Sequence, residues 1–216
     1  MRQSSPARAL LGTTRLICHS IAILLLAMTP RLSAEIIYDS FPSDLAFGAS
    51  SDAVGTDCFA LAVPFTPRGL YVLDSLTVAM SSRAGGDPVR LTVRPDAAGI
   101  PADTVLDTID LGNLITAEAD VVTAPSVSRP LLHAGLTYWV VAQQTTPQEI
   151  FWWHVATTPT YGRAYQSTPD SPWYLDMETA YALRVQGAPV LEPTSVATLA
   201  LAVSLLLPRH HPRKPL

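Results

Sequence analysis

Histidine, tryptophan and aspartate are the residues of this chain whose types and spacing could do chemistry. Residues 35–190 hold two histidines, His133 and His154. Neither has a second histidine four residues away, and no His-Glu-x-x-His occurs, so a zinc or metalloprotease centre has no support. Gly-x-Ser-x-Gly, Walker and dinucleotide-binding loops do not occur either. A triad assembled from distant strands stays open. It needs His133 or His154 within hydrogen-bond reach of a carboxylate and a nucleophile.

Trp152-Trp153-His154 is the most informative triplet. Strand alternation with Phe151, Trp153 and Val155 on the core face turns Trp152 and His154 the other way. Trp152, His154, Trp173 and Tyr174 are then candidate glycan contacts, because a flat, rigid ring stacks on a sugar at small entropic cost. The competing expectation packs Trp152 under the loop at 157–172. Asp96, Asp103, Asp107 and Asp110 could offer hard oxygen ligands to Ca²⁺. Their spacing does not match an EF-hand, and a solvated acidic edge paired to Arg90 and Arg94 competes with that reading. Cys58 stands alone once Cys18 is removed with a leader, so no internal disulfide forms, and it reads as a small buried hydrophobe. No metal, no cofactor and no catalytic activity are expected.

The elements that must position these residues read as short strands. Residues 35–190 show little helical period and many apolar runs cut by Gly, Pro, Asp and Ser. Strands are expected over 35–38, 58–65, 70–80, 89–94, 104–111, 120–127, 136–143, 150–157 and 181–186. The cleanest alternates Val89, Leu91 and Val93 with Arg90, Thr92 and Arg94. Turns are expected at 84–88 and at 95–101, where Gly99 can take a positive φ. About eight strands without a helix argue an all-β fold, an antiparallel β-sandwich of jelly-roll-like type.

Both ends differ from this middle. Arg2, Arg8 and Arg15 precede an apolar core at 21–28, Pro30, and the small residues Ser33 and Ala34. This is the layout of a cleaved signal peptide covering 1–34. The sandwich is expected over 35–188 and a C-terminal signal over 189–216. That signal holds Leu191, Glu192 and Pro193, an apolar run at 195–207, and a basic stop of Arg209, Arg213 and Lys214. The run reads as a short apolar transmembrane helix with its basic end on the cytoplasmic side. Its 13 residues span roughly 20 Å at ~1.5 Å per residue, against ~30 Å of hydrocarbon.

Composition agrees with an exported body. The chain of 216 residues is 48% hydrophobic and 15% charged, too apolar for wholesale disorder. Its net charge is −4, but residues 35–190 carry 7 Arg and no Lys against 17 Asp plus Glu, a net −10. Such a body repels anionic polymers, which excludes nucleic acid as a partner.

Taken together, the layout resembles PEP-CTERM proteins, which Gram-negative bacteria export and sort with an exosortase. The matching residues are Glu192 and Pro193, the run at 195–207, and Arg209, Arg213 and Lys214, with Leu191 standing where the motif has its first proline. The middle is similar to the choice-of-anchor type R family. The shared stretches are Leu73-Asp74-Ser75-Leu76-Thr77-Val78, the strand at 89–94 before Gly99-Ile100-Pro101, Gly135-Leu136-Thr137-Tyr138-Trp139-Val140, and Ile150-Phe151-Trp152-Trp153. The resemblance implies an exported, surface- or matrix-associated, non-enzymatic domain. Its partners would be export machinery and an exosortase, with extracellular polysaccharide as a candidate ligand. A carbohydrate-binding module and a cryptic hydrolase are the alternatives.

Overall fold

The computed structural model describes residues 33–42, 44–55, 59–83, 85, 89–144, 149–155, 162–176 and 181–190. The chain divides into two units, Met1–Ser33 and Ala34–Leu216. The fold below belongs to the second. The expected leader up to residue 32, Cys58, the Leu191-Glu192-Pro193 motif, the apolar run at 195–207 and the basic stop lie outside the described residues. One expectation is corrected here. No helix among the described residues is long and apolar enough to cross a membrane. A helix of 13 residues is too short for the hydrocarbon thickness in any case.

Among the described residues fourteen strands form two antiparallel sheets, with one short 3-10 turn at Gly112–Leu114. The strands are β1 (Glu35–Asp39), β2 (Phe47–Val54), β3 (Ala60–Phe65), β4 (Tyr71–Ser82), β5 (Val89–Ala97), β6 (Ile100–Pro101), β7 (Asp107–Asp110), β8 (Asp120–Pro125), β9 (Leu131–Leu132), β10 (Tyr138–Gln144), β11 (Ile150–Val155), β12 (Arg163–Gln166), β13 (Tyr174–Asp176) and β14 (Leu183–Pro189). The first sheet runs β1-β14-β4-β11-β2, with β8 and β9 also paired to β4. The second runs β13-β12-β3-β10-β5-β6, with β7 paired to β5. The arrangement is all-β and consistent with a β-sandwich.

The main core is built by alternation. Leu61, Val63 and Phe65 of β3, Val89, Leu91 and Val93 of β5, and Val140 and Ala142 of β10 share one cluster with Leu73, Leu76, Val78 and Met80 of β4. The outer faces are not uniformly polar. Trp139, Val141, Ala60, Ala62 and Ala164 form a second cluster outside the second sheet. Phe41, Ala79, Val155 and Ala182 form a third outside the first, with Phe47 and Trp153 packed on it. Central strands therefore bury both faces, which erases the polar half of the period-two signal.

The turn at 95–101 has the expected geometry. Ala97 pairs with Ile100, and both central residues have positive φ, 57° at Ala98 and 91° at Gly99. Two such residues make the primed two-residue hairpin whose twist suits flanking strands. Asp96 Oδ2 accepts from the Gly99 amide at 2.9 Å and fixes the turn from inside.

Candidate functional site

The site with the densest polar chemistry lies where an edge of each sheet meets. β2 and β11 pair antiparallel, with Trp152 opposite Asp52 and Trp153 opposite Ser51. The register then slips, because Val155 faces Phe47. Three residues, Gly48, Ala49 and Ser50, thus lie opposite His154 alone. Gly48 permits this close approach: a Cβ there would sit 3.1 Å from the carbonyl oxygen of Val155. His154 also bridges to Tyr181. From the second sheet, β12 contributes Arg163 and β13 contributes Asp176.

Asp52 Oδ2 is the hub. It accepts hydrogen bonds from Tyr181 Oη at 2.6 Å and from Arg163 Nη1, and His154 Nε2 lies 3.2 Å away. Arg163 also donates to Tyr181 Oη at 2.9 Å, and through Nη2 to Asp176 Oδ2 at 2.9 Å. Its Nη1 lies 3.4 Å from His154 Nε2, so two nitrogens converge on one carboxylate oxygen. The far side of the ring completes the chain: His154 Nδ1 is 3.1 Å from Ser50 Oγ. The His154 ring packs against Tyr181 with centroids 5.2 Å apart, and the Arg163 guanidinium lies 5.3 Å from the Tyr181 ring. The His154 side chain is 13% exposed and Arg163 9%, whereas Asp52 is 36% exposed.

Electrostatics follow from these contacts. The hydrogen bond with His154, then that of Tyr181 and the charge of Arg163, hold Asp52 well below the usual carboxylate range against the opposing effect of burial. Burial works against the Arg163 charge. Tyr181, Asp176 and Asp52 outweigh it and raise the guanidinium above its ordinary value. Asp52 is therefore ionised and Arg163 charged at any physiological pH. The cluster ties the two sheets together and wires Ser50, His154 and Asp52 in series. The expectation of a chain without catalytic wiring is reopened by this geometry.

The candidate glycan contacts separate. Trp152 is fully buried, stacked on Tyr181 with centroids 5.0 Å apart, and its Nε1 donates to the Ala182 carbonyl at 3.0 Å. It cannot meet a sugar, and its expected outward orientation is corrected. Trp152 and His154 do share a face, but that face points inward. Trp153 and Val155 face the third cluster, with Trp153 Nε1 donating to Ser81 Oγ at 3.0 Å. Alternation fixes which side chains share a face. It does not say which face is inner when both are apolar. Trp173 packs half-buried on the second cluster. Tyr174 is exposed and stacks on Tyr165 with centroids 5.4 Å apart.

The four aspartates offered to Ca²⁺ also disperse, which corrects that candidate. Among the described residues no group of three or more His, Cys, Asp or Glu could hold a metal ion. Asp96 Oδ1 accepts from Trp139 Nε1 at 2.7 Å. Asp110 pairs with Arg90 at 3.1 Å. Asp103 is exposed and raises the pKa of Arg94, whose burial lowers it overall. Asp107 is 1% exposed and turned into the structure. Its oxygens accept from Ser126 Oγ at 2.5 Å and from the amides of Thr108, Val127 and Ser128 at 2.9, 3.2 and 2.9 Å.

His133, the other histidine, lines an open cavity of about 500 Å³ with Asp96, Leu106, Leu131 and Leu136. Its amide donates to Tyr138 Oη at 2.9 Å.

Ser50, Asp52, Arg163 and Tyr181 were not visible as a set in the sequence. Ser50 and Asp52 lie 104 and 102 positions from His154, and only the β2–β11 pairing joins them. The one available signal is scarcity, since Arg163 is one of just seven cations in residues 35–190. No family model matches the chain, and no curated protein matches it.

Proposed function

We propose that this chain is an exported, surface- or matrix-associated β-sandwich protein sorted by segments at its two ends. The observation that carries the reading is where the sandwich starts and stops. β1 opens at Glu35, the residue after the expected signal-peptide cut, and β14 closes at Pro189, just before the Leu191-Glu192-Pro193 motif. The two strands are neighbours, with Glu35 opposite Gly187. They are tied further by Arg184 Nη2 on Asp39 Oδ2 at 2.7 Å. The first and last described strands therefore lie side by side, and neither the expected cut before Glu35 nor one at the Leu191-Glu192-Pro193 motif falls within a described strand. The Lys-free body of net charge −10 suits an extracellular surface.

In this reading the export machinery removes residues 1–34, and an exosortase of a Gram-negative bacterium acts at the C-terminal motif. The sandwich is jelly-roll-like: β2, β3, β4 and β5 fall in alternate sheets, as do β10, β11 and β12. The test is cell fractionation with intact-mass measurement of the mature protein. A surface or medium fraction with a mass beginning at Glu35 is expected. A cytosolic chain that keeps Met1 would overturn the reading.

Extracellular polysaccharide as ligand is a second reading. It is favoured by Tyr174 stacked on Tyr165 beside the exposed Leu175 at the outer strand of the second sheet. A glycan panel read by Tyr and Trp fluorescence checks it. Binding lost in Tyr174→Ala supports the platform, and silence across the panel removes it.

A further inference from the structure

We propose that Ser50 is an activated nucleophile that takes acyl groups from small, unhindered carboxylic esters. It would make the chain an esterase of modest rate, independent of where the chain is sent. Three features of the rim carry this. The first is order: Ser50 Oγ to His154 Nδ1 at 3.1 Å, then His154 Nε2 to Asp52 Oδ2 at 3.2 Å. A nucleophile, a base and a group that orients the base define the arrangement, and fold or chain order does not. The second is the fixed charge of Asp52. An ionised carboxylate at Nε2 selects the tautomer with hydrogen on that nitrogen, which leaves the Nδ1 lone pair facing Ser50. The third is access. Ser50 is exposed while His154 behind it is mostly covered, so an ester reaches the hydroxyl and the base stays positioned.

The register slip supplies the remaining part. Three residues of β2 opposite one of β11 depart from the one-to-one ladder. Such bulges leave backbone amides outside strand pairing and recur beside active sites. In the proposed reaction, amides of this bulge next to Ser50 would serve as the donors that a tetrahedral oxyanion requires. Ser50 Oγ bonds to the ester carbonyl carbon, its proton passes to His154 Nδ1, and the carbonyl electron pair moves onto oxygen. Collapse breaks the bond to the leaving alkoxide, which takes the proton from Nδ1. Water then adds to the acyl-Ser50 carbonyl, giving its proton to Nδ1. The carboxylic acid departs, and Ser50 Oγ recovers the proton. Asp52 positions the ring throughout and stays ionised. Acetyl-sized groups, which need no deep acyl pocket, are the expected substrates.

The experiment treats the full chain with an alkyl fluorophosphonate and, separately, with p-nitrophenyl acetate. Both are read by intact mass and peptide mapping. One adduct per chain on Ser50 is expected, absent in the surface variant Ser50→Ala. In His154→Gln, labelling slows on the order of 100-fold, the scale of general-base assistance. Three results overturn the proposal: labelling no faster than in the urea-unfolded chain, an adduct retained in Ser50→Ala, or a folded His154→Gln that labels at the wild-type rate. If His154→Gln fails to fold, the comparison of folded and unfolded wild type decides.

Discussion

Two aspartates hold this molecule together in opposite ways. Asp107 is buried and meets only neutral donors, namely a serine hydroxyl and three backbone amides. Asp52 is partly exposed and meets a guanidinium, a phenol and an imidazole. Both carboxyls titrate below their ordinary value, Asp107 because its hydrogen bonds outweigh burial. The difference lies in what each one joins. Asp107 folds the 126–128 turn onto its own strand, with partners 1 to 21 positions away. Asp52 gathers residues more than 100 positions apart, from both sheets. Dipoles thus shape a local turn, while ions close the sandwich at its rim and incidentally align a histidine with a serine.

Removing the cation is expected to have the largest effect. Arg163→Met leaves Asp52 and Asp176 without their common partner and costs about 3 kcal/mol, measured by urea unfolding. Asp107→Ala strands Ser126 and three amides and costs about 2 kcal/mol. The two should differ in salt. The Arg163-dependent part shrinks in 1 M NaCl because Asp52 is partly exposed, and the Asp107-dependent part holds. Equal salt responses would erase the contrast.

Acid should strip both carboxylates. Each has a depressed folded-state pKa, so its stabilisation is complete above the unfolded value of about 4. It is lost as the pH falls through the folded one, which for Asp52 lies at the very acidic end. Unfolding midpoints measured from pH 5 downward should therefore fall less steeply in Asp52→Asn than in wild type. The exposed Arg90–Asp110 pair is the control, with Asp110→Ala costing under about 1 kcal/mol. The smallest expected change is a gain. Ala98→Asn places the residue that primed turns favour beside Gly99 and stabilises by a few tenths of a kcal/mol, on the order of 0.5.

How much of this was legible follows from local chemistry. β5 could be read directly because Val89, Leu91 and Val93 alternate with Arg90 and Arg94, and all three valine and leucine side chains enter the core. β10 and β14 were legible for similar reasons. β2 was not, because Phe-Gly-Ala-Ser-Ser-Asp-Ala-Val lacks large alternating side chains and is held by its pairing with β11. β12 and β13 are short and lie beside turn-rich sequence, so their periods never develop. The faces of β11 were exchanged because both are covered by apolar clusters. At the site, His154 stood out by type. Its partners did not, since serine and aspartate between strands usually mark turns. Their role here is created by the register slip opposite His154.

The central claim is the wiring of Ser50, His154 and Asp52, and nitrogen NMR of the His154 ring tests it most directly. In the neutral ring, hydrogen on Nε2 and an unprotonated Nδ1 toward Ser50 are expected. A ring carrying its hydrogen on Nδ1 would contradict the claim, because that nitrogen could then take no proton from the serine.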